Sequence, residues 1–163
     1  MAKNAESTNV QVVLSKGEIR SRLANLKSLF ESDNDWKVVF GLKVRNLMKK
    51  FEAIVSDAND EAEAKGKSYQ KKLSDLQKEL AKQDEYGQFI LEDGNKFTFE
   101  TPEKKSEYIR DLNALNEEHN KFYEELDEAL KEEVTVEALP IPESCLPESA
   151  KGKLLQAISE FIE

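Results

Sequence analysis

Apolar residues recur at steps of four and three along one stretch of the chain, from Trp36 to about Gln83. This spacing places them on a single face of an α-helix. The positions that keep the rhythm are Leu47, Phe51, Ile54, Ala58, Ala62, Lys65, Tyr69, Leu73, Leu76 and Leu80. An unbroken helix of this length would extend roughly 70 Å, which exceeds the width of a small domain. The apolar residues on that face at its centre are only alanines, and the centre includes Asn59 and Gly66, so we predict a bend or break near residues 56–66.

Residues typical of helix starts predict a helix before the long one, and similar residues lie just before the long helix itself. Ser15 and Glu18 have the spacing of a capping box, in which each residue bonds the main chain of the other. The apolar positions that follow are Ile19, Leu23, Leu26 and Phe30. Residues 33–35 offer caps for the long helix, which opens at Trp36 and whose next apolar positions are Val39 and Phe40.

Two more helices are predicted in the second half of the chain. Thr101 is a suitable N-cap and Pro102 a suitable first helical residue, and the apolar rhythm after them stops near Glu133. A short helix should run from Pro147 or Glu148 to the last residue, because its apolar side chains again follow helical spacing.

Extended segments separate the helices. Asp93-Gly94 lies between apolar runs at 89–91 and 96–99, which predicts a β-hairpin. Residues 10–14 and 134–136 alternate apolar and polar side chains, as short strands do. The hairpin reverses the chain, so the third helix can lie antiparallel to the stripe from Tyr69 to Leu80. The predicted fold is mainly α, with long antiparallel helices, a small β-hairpin and short terminal strands.

Composition limits the class of protein. The 163 residues suit a single helical domain, with residues 1–9 as a flexible arm. No apolar run approaches the roughly 20 residues of a membrane helix, and the start lacks a secretory signal, so we expect a cytoplasmic protein with no membrane partner. Cys145 is the single cysteine, which excludes an intramolecular disulfide, and we interpret it as a small buried or idle thiol.

Residue patterns for catalysis or cofactor binding are missing from the sequence. None of the six glycines falls in a phosphate-binding motif, so nucleotide hydrolysis has no support. His119 is the one histidine, and we favour a partly buried side chain paired with Asn116 or Tyr123 over a general base or metal ligand. We therefore expect no enzyme activity, no metal and no cofactor.

Charge is unevenly distributed along a chain with a formal net charge of −9. The third helix is acidic towards its end and includes Glu124, Asp127 and Glu128. Such a surface could meet a basic protein or mimic DNA, although it is usually a solvated helix face. Basic residues cluster between Trp36 and Lys50 without an acid among them, and Lys43, Arg45 and Lys49 form a candidate anion site. The net charge disfavours direct binding of duplex DNA.

The order of elements resembles small uncharacterised proteins of tailed phages and their prophages. The resemblance rests on the capped first helix, the Asp-Gly hairpin, the helical segment 112–117, the Val-Thr-Val-Glu strand at 134–137, the Ile-Pro segment at 141–142 and the terminal Phe161-Ile162-Glu163. It implies a phage-encoded accessory protein in the host cytoplasm. The family has no established activity, so no catalytic residue is carried over.

Three functional hypotheses follow. The first is stoichiometric protein binding, either to inhibit a host factor or in virion assembly, through Tyr69, Leu73 and Leu76 together with the acidic third helix. It includes homo-oligomerisation, because one small domain would leave part of the long stripe uncovered. The second is a sponge that sequesters a nucleotide signal of host immunity at the basic cluster. The third is an acidic inhibitor that mimics DNA.

Overall fold

The structure is a computed structural model that describes residues 9–31, 36–148 and 152–163, and within them the fold is mainly α. The helices are α1 (Lys16–Glu31), α2 (Val38–Leu80), α3 (Pro102–Ala129) and α4 (Lys153–Ile158). The strands are β1 (Val10–Ser15), β2 (Leu91–Glu92), β3 (Lys96–Phe97) and β4 (Glu133–Ala138). Short 3-10 turns occupy Glu143–Cys145 and Ser159–Phe161. The predicted arm, apart from Asn9, and the predicted caps at 33–35 lie outside the described residues.

The predicted helix starts at Ser15 and Thr101 are confirmed. The Ser15 main-chain N–H and hydroxyl donate to the Glu18 carboxylate at 2.8 and 2.9 Å, and the Glu18 N–H donates back to Ser15 Oγ at 3.2 Å. These bonds close the capping box and lower the pKa of Glu18, because they favour its charged form. Thr101 Oγ1 accepts from the Lys104 N–H at 3.3 Å and caps α3.

The ends of two helices differ from the prediction. Helix α3 ends at Ala129 and not near Glu133, because Glu133 already belongs to β4 and pairs with Ser15. The last helix begins at Lys153, later than Pro147, and the 3-10 turn Ser159–Phe161 follows it. Residues 149–151, between the predicted and observed starts, lie outside the described chain.

The chain divides into two compact units. Unit 1 contains the residues up to Ala58 and from Asp127 onward, and unit 2 is Asn59–Leu126. Helical hydrogen bonding continues through α2 from Val38 to Leu80, so no break interrupts it. The boundary between the units nevertheless falls inside the stretch 56–66 where we predict a bend. The bend and the single-domain organisation stay predictions.

Unit 1 is built on the first part of α2. Strand β1 pairs with β4 in antiparallel register, Val12 opposite Val136, although well over a hundred residues separate them. The fully buried side chains of this core include Phe40, Val44, Phe51 and Val55 from α2, Ile19 and Leu26 from α1, and Ile158 and Phe161 from the C-terminal segment. The rings of Phe51 and Phe161 meet edge to face at 6.0 Å, an arrangement that aromatic pairs prefer.

One predicted core position is wrong. The sequence pattern places Val39 on the apolar face of α2, but its side chain is 54% exposed. The buried positions instead follow the phase of Phe40, and they include Val44 and Val55, which are not part of the predicted stripe. Neighbouring residues of an α-helix point about 100° apart, and here Phe40 faces the core while Val39 faces solvent.

Unit 2 pairs the second part of α2 with α3. The Tyr69 hydroxyl donates to Asn116 Oδ1 at 2.7 Å, and two turns of α3 later Tyr123 lies beside Gly66. Residue numbers rise on one helix as they fall on the other, which confirms the antiparallel arrangement. The predicted hairpin is also confirmed: β2 pairs with β3, and Asp93 and Gly94 adopt the positive φ angles of a tight turn.

We expect the ion pair between Arg22 and Glu160 to make unit 1 sensitive to acid. Two bonds of 2.7 and 2.8 Å join the guanidinium to the carboxylate, and they lower the pKa of Glu160 to about 2. Because the Glu160 carboxylate is partly solvated, replacement by Gln should cost only about 1 kcal/mol at pH 7. Chemical denaturation of both variants measures this difference.

The sign of the pH effect follows from the lowered pKa. The folded state holds Glu160 charged more strongly than the unfolded state, so the contribution of the pair is complete above the unfolded pKa of about 4.5. The difference in unfolding free energy between wild type and Glu160→Gln should therefore shrink as pH falls from about 4.5 to about 2. A difference that stays constant over this range would contradict the assignment.

Candidate functional site

The start of α2 exposes large apolar side chains to solvent. Val38 is 77% exposed, Val39 54% and Leu42 55%. They lie on the side of the helix that faces away from Phe40 and Val44. With the exposed Asn46 and Lys49 they form what we call the outer face of α2. A cluster of exposed apolar residues with a polar rim is typical of an interaction surface.

A cleft lies beside this face in unit 1. Its volume is about 330 Å³, and it is lined by Lys43, Asn46, Leu47, Lys49, Lys50, Ala138 and Leu139. Leu139 follows β4 directly and is half exposed. The cleft therefore combines three ammonium groups and one amide with apolar side chains, and no acidic residue is part of its lining.

Two of the three lysines form hydrogen bonds with main-chain carbonyls, one at the end of β4 and one just after it. Lys43 Nζ donates to the carbonyl of the buried Pro140 at 2.7 Å, and Lys50 Nζ donates to the carbonyl of Glu137. Each ammonium has three N–H groups, so each keeps donors after making this bond. Lys49 is exposed, and within the described residues no hydrogen bond or ion pair engages it.

The structure brings together only part of the anion site predicted from sequence. Lys43 and Lys49 both line the cleft, and Lys50 and Asn46 join them there. Arg45 does not line it: its guanidinium carbon lies 5.4 Å from the centre of the Phe30 ring, a cation–π contact.

The apolar residues predicted to bind a partner are used within unit 2. Tyr69, Leu73 and Leu76 are half-buried, and Tyr69 also stacks on His119 with ring centres 4.1 Å apart. The stripe is therefore less open than the sequence suggested. The acidic residues predicted with them, Glu124, Asp127 and Glu128, are exposed on α3, and Glu128 pairs with Lys131.

The prediction that His119 is partly buried beside Tyr123 is confirmed. Its ring meets Tyr123 edge to face at 4.7 Å, in addition to the stack on Tyr69. Asn116, the other proposed neighbour, accepts the Tyr69 hydroxyl bond instead. A small cavity of about 30 Å³, room for about one water molecule, lies beside this stack. Cys145 is half-buried against the core of unit 1.

Across residues 9–31, 36–148 and 152–163, no group of three or more His, Cys, Asp or Glu side chains could hold a metal ion. Within the same residues, no helix is both long enough and apolar enough to cross a bilayer.

Sequence reasoning missed the apolar part of the candidate site. Val38 and Leu42 are out of phase with the stripe of α2, and an apolar residue out of phase is a signal of an exposed patch. This signal can be recognised only when it is known which side of α2 is buried. Leu139 had no such signal, because its exposure depends on the direction that the chain takes after β4.

Comparison with known proteins identifies no relative of this chain. No protein-family model matches the chain, and neither the curated proteins nor the solved structures contain a match. The function of the outer face and the basic cleft must therefore follow from the residues that form them.

The lysines of the cleft should differ in their effect on stability. We expect Lys43→Met to destabilise the protein by about 1–3 kcal/mol, because the buried Pro140 carbonyl loses its donor. Lys49→Met is the matched control and should stay within about 0.5 kcal/mol of wild type. Chemical denaturation monitored by circular dichroism measures both, and equal losses in the two variants would contradict the structural role of Lys43.

Proposed function

We propose that this chain is a non-enzymatic protein that acts by stoichiometric binding of a protein partner through the outer face of α2 and Leu139. One observation carries the proposal: three large apolar side chains on adjacent turns of one helix are each more than half exposed. Covering them removes apolar surface from water, which is the main driving force of protein association.

The neighbouring charges support a protein partner of defined orientation. The cleft places ammonium groups directly beside the apolar residues, so that one bound surface can meet both. Apolar contacts would supply most of the affinity, whereas the charged rim would select the partner and its register.

We also propose a biological setting for this binding. The order of elements resembles that of small phage proteins, and on that basis we propose a phage-encoded accessory protein in the host cytoplasm. Its partner would be a host factor that it inhibits or a component of the assembling virion. Homo-oligomerisation is part of this proposal, although the half-buried Tyr69, Leu73 and Leu76 give it less surface than the sequence suggested.

The cleft favours a second candidate function, a sponge for a nucleotide signal of host immunity. Lys43, Lys49 and Lys50 could bind phosphate groups, and the volume of about 330 Å³ lies at the lower end of the range for small-molecule sites. A small ligand in the cleft would, however, leave Val38 and Leu42 uncovered. Protein binding accounts for both parts of the site and is the first candidate for this reason.

Site-specific photo-crosslinking should identify the partner and its point of contact. With a photoreactive amino acid at position 42, irradiation of bacterial cells that express the protein should give one dominant adduct. The same amino acid at Ala64 is the control, because Ala64 is an exposed residue of the same helix in the other unit. It should not give that adduct, and native mass spectrometry of the purified pair should show a fixed stoichiometry.

A variant of the outer face completes this test. Leu42→Glu should weaken the reconstituted complex at least tenfold, because it places a charge where an apolar contact forms, and it should leave the circular dichroism spectrum unchanged. An adduct that forms equally from positions 42 and 64, or a complex that tolerates Leu42→Glu, would contradict the proposal. A nucleotide mass retained by the protein without any protein partner would favour the sponge.

A further inference from the structure

We infer that the segment bound at this site is acidic and amphipathic, with carboxylates in the basic cleft and apolar side chains against Val38 and Leu42. This inference rests on the proposed function and specifies the chemistry of the partner. It also assigns Lys49 as the residue that selects for acidic partners.

Within the described residues, no ion pair engages the three lysines of the cleft. Lys43 and Lys50 are bound to carbonyl groups, which satisfy one donor each but carry no compensating charge. Lys49 has neither an ion pair nor a hydrogen bond within the described residues. An incoming carboxylate would therefore meet ammonium groups of which two are already held in place, which lowers the entropy cost of the contact.

The apolar side chains specify the second half of the partner. A free anion in the cleft would leave Val38, Val39 and Leu42 in water. A basic or neutral apolar segment would cover them but would bring no negative charge to the cleft. A segment that alternates acidic and apolar groups satisfies both requirements at once.

A second copy of this chain fits the site less well. The outer face against itself would bring Lys49 of one copy towards the lysines of the other, which is repulsive. The acidic part of α3 would supply carboxylates, but its exposed side chains bring no large apolar group: they are Glu117, Glu118, Asn120, Lys121, Glu124, Glu125, Asp127, Glu128 and Ala129. The apolar residues of the outer face would then remain uncovered. Neither of these two surfaces of a second copy meets both requirements, and we assign the site to a different protein.

Selection from a library of random 16-residue peptides tests this inference while the partner is still unidentified. The full-length protein is the target, and peptides that also bind a Leu42→Ser variant are removed, because this change removes the apolar side chain without adding a charge. We expect the remaining peptides to be enriched several-fold in Asp and Glu, with Leu, Ile or Phe interspersed. Enrichment of basic or uncharged sequences would overturn the inference, whereas the proposed function would stand because binding depends on Leu42.

The affinity of one enriched synthetic peptide then tests the role of Lys49. Lys49→Glu should weaken binding at least tenfold, and Lys49→Gln should weaken it less. Lys71→Glu is the matched control, because Lys71 is also an exposed lysine of α2 that no ion pair engages within the described residues, and it should leave the affinity unchanged. Binding should also weaken as salt rises from 50 to about 500 mM, since ions screen exposed charges.

The outcomes separate the inference from the proposed function. If Leu42→Glu abolishes binding while Lys49→Glu has no effect, the site is correct and the acidic partner is wrong. If no peptide remains after the removal step, both fail. Circular dichroism of every variant should match wild type, because Leu42, Lys49 and Lys71 are all exposed.

Discussion

Helix α2 carries one apolar face that must be covered from Phe40 to Leu80, and both units are organised by this requirement. In unit 1 the cover consists of α1, the β1–β4 pair and the C-terminal segment, whose side chains enclose Phe40, Val44 and Phe51. In unit 2 the hairpin-connected α3 packs along the later turns. Because helical propensity alone stabilises a helix only weakly, these two covers account for most of its stability. At the start of α2, the side chains of Val38, Val39 and Leu42 point away from this core and are exposed.

Local features of this fold were predictable from sequence, and distant pairings were not. The capping box at Ser15, the cap at Thr101 and the Asp-Gly turn each depend on residues within a few positions, and each is present. The pairing of β1 with β4 joins opposite ends of the chain, and no local pattern encodes it. The wrong placement of Val39 has a related cause, because a run of adjacent apolar residues does not say which of them faces the core until its packing partners are known.

In the candidate site, too, local features were predictable from sequence and distant contacts were not. Charge clustering indicates Lys43 and Lys49, since a run of basic residues without acids is visible in the sequence. The roles within the cluster were not predictable, because they depend on neighbours elsewhere in the chain: Lys43 bonds Pro140, while Arg45 lies over Phe30. The particular neighbours of Tyr69 were not predictable either, because α3 supplies them: Asn116 accepts the bond from its hydroxyl and His119 stacks on its ring.

The hydrogen bonds of Lys43 and Lys50 to main-chain carbonyls also limit how a partner can bind. An exposed strand edge usually invites another strand to pair with it through main-chain hydrogen bonds. At the end of β4 the ammonium groups of Lys50 and Lys43 already bond the carbonyls of Glu137 and Pro140, so an added strand would have to displace two charged donors. Recognition at this place must therefore use side chains. The side chains that a partner can contact here are the exposed apolar residues of α2 and the exposed ammonium group of Lys49. They lie next to each other because the same helix carries both.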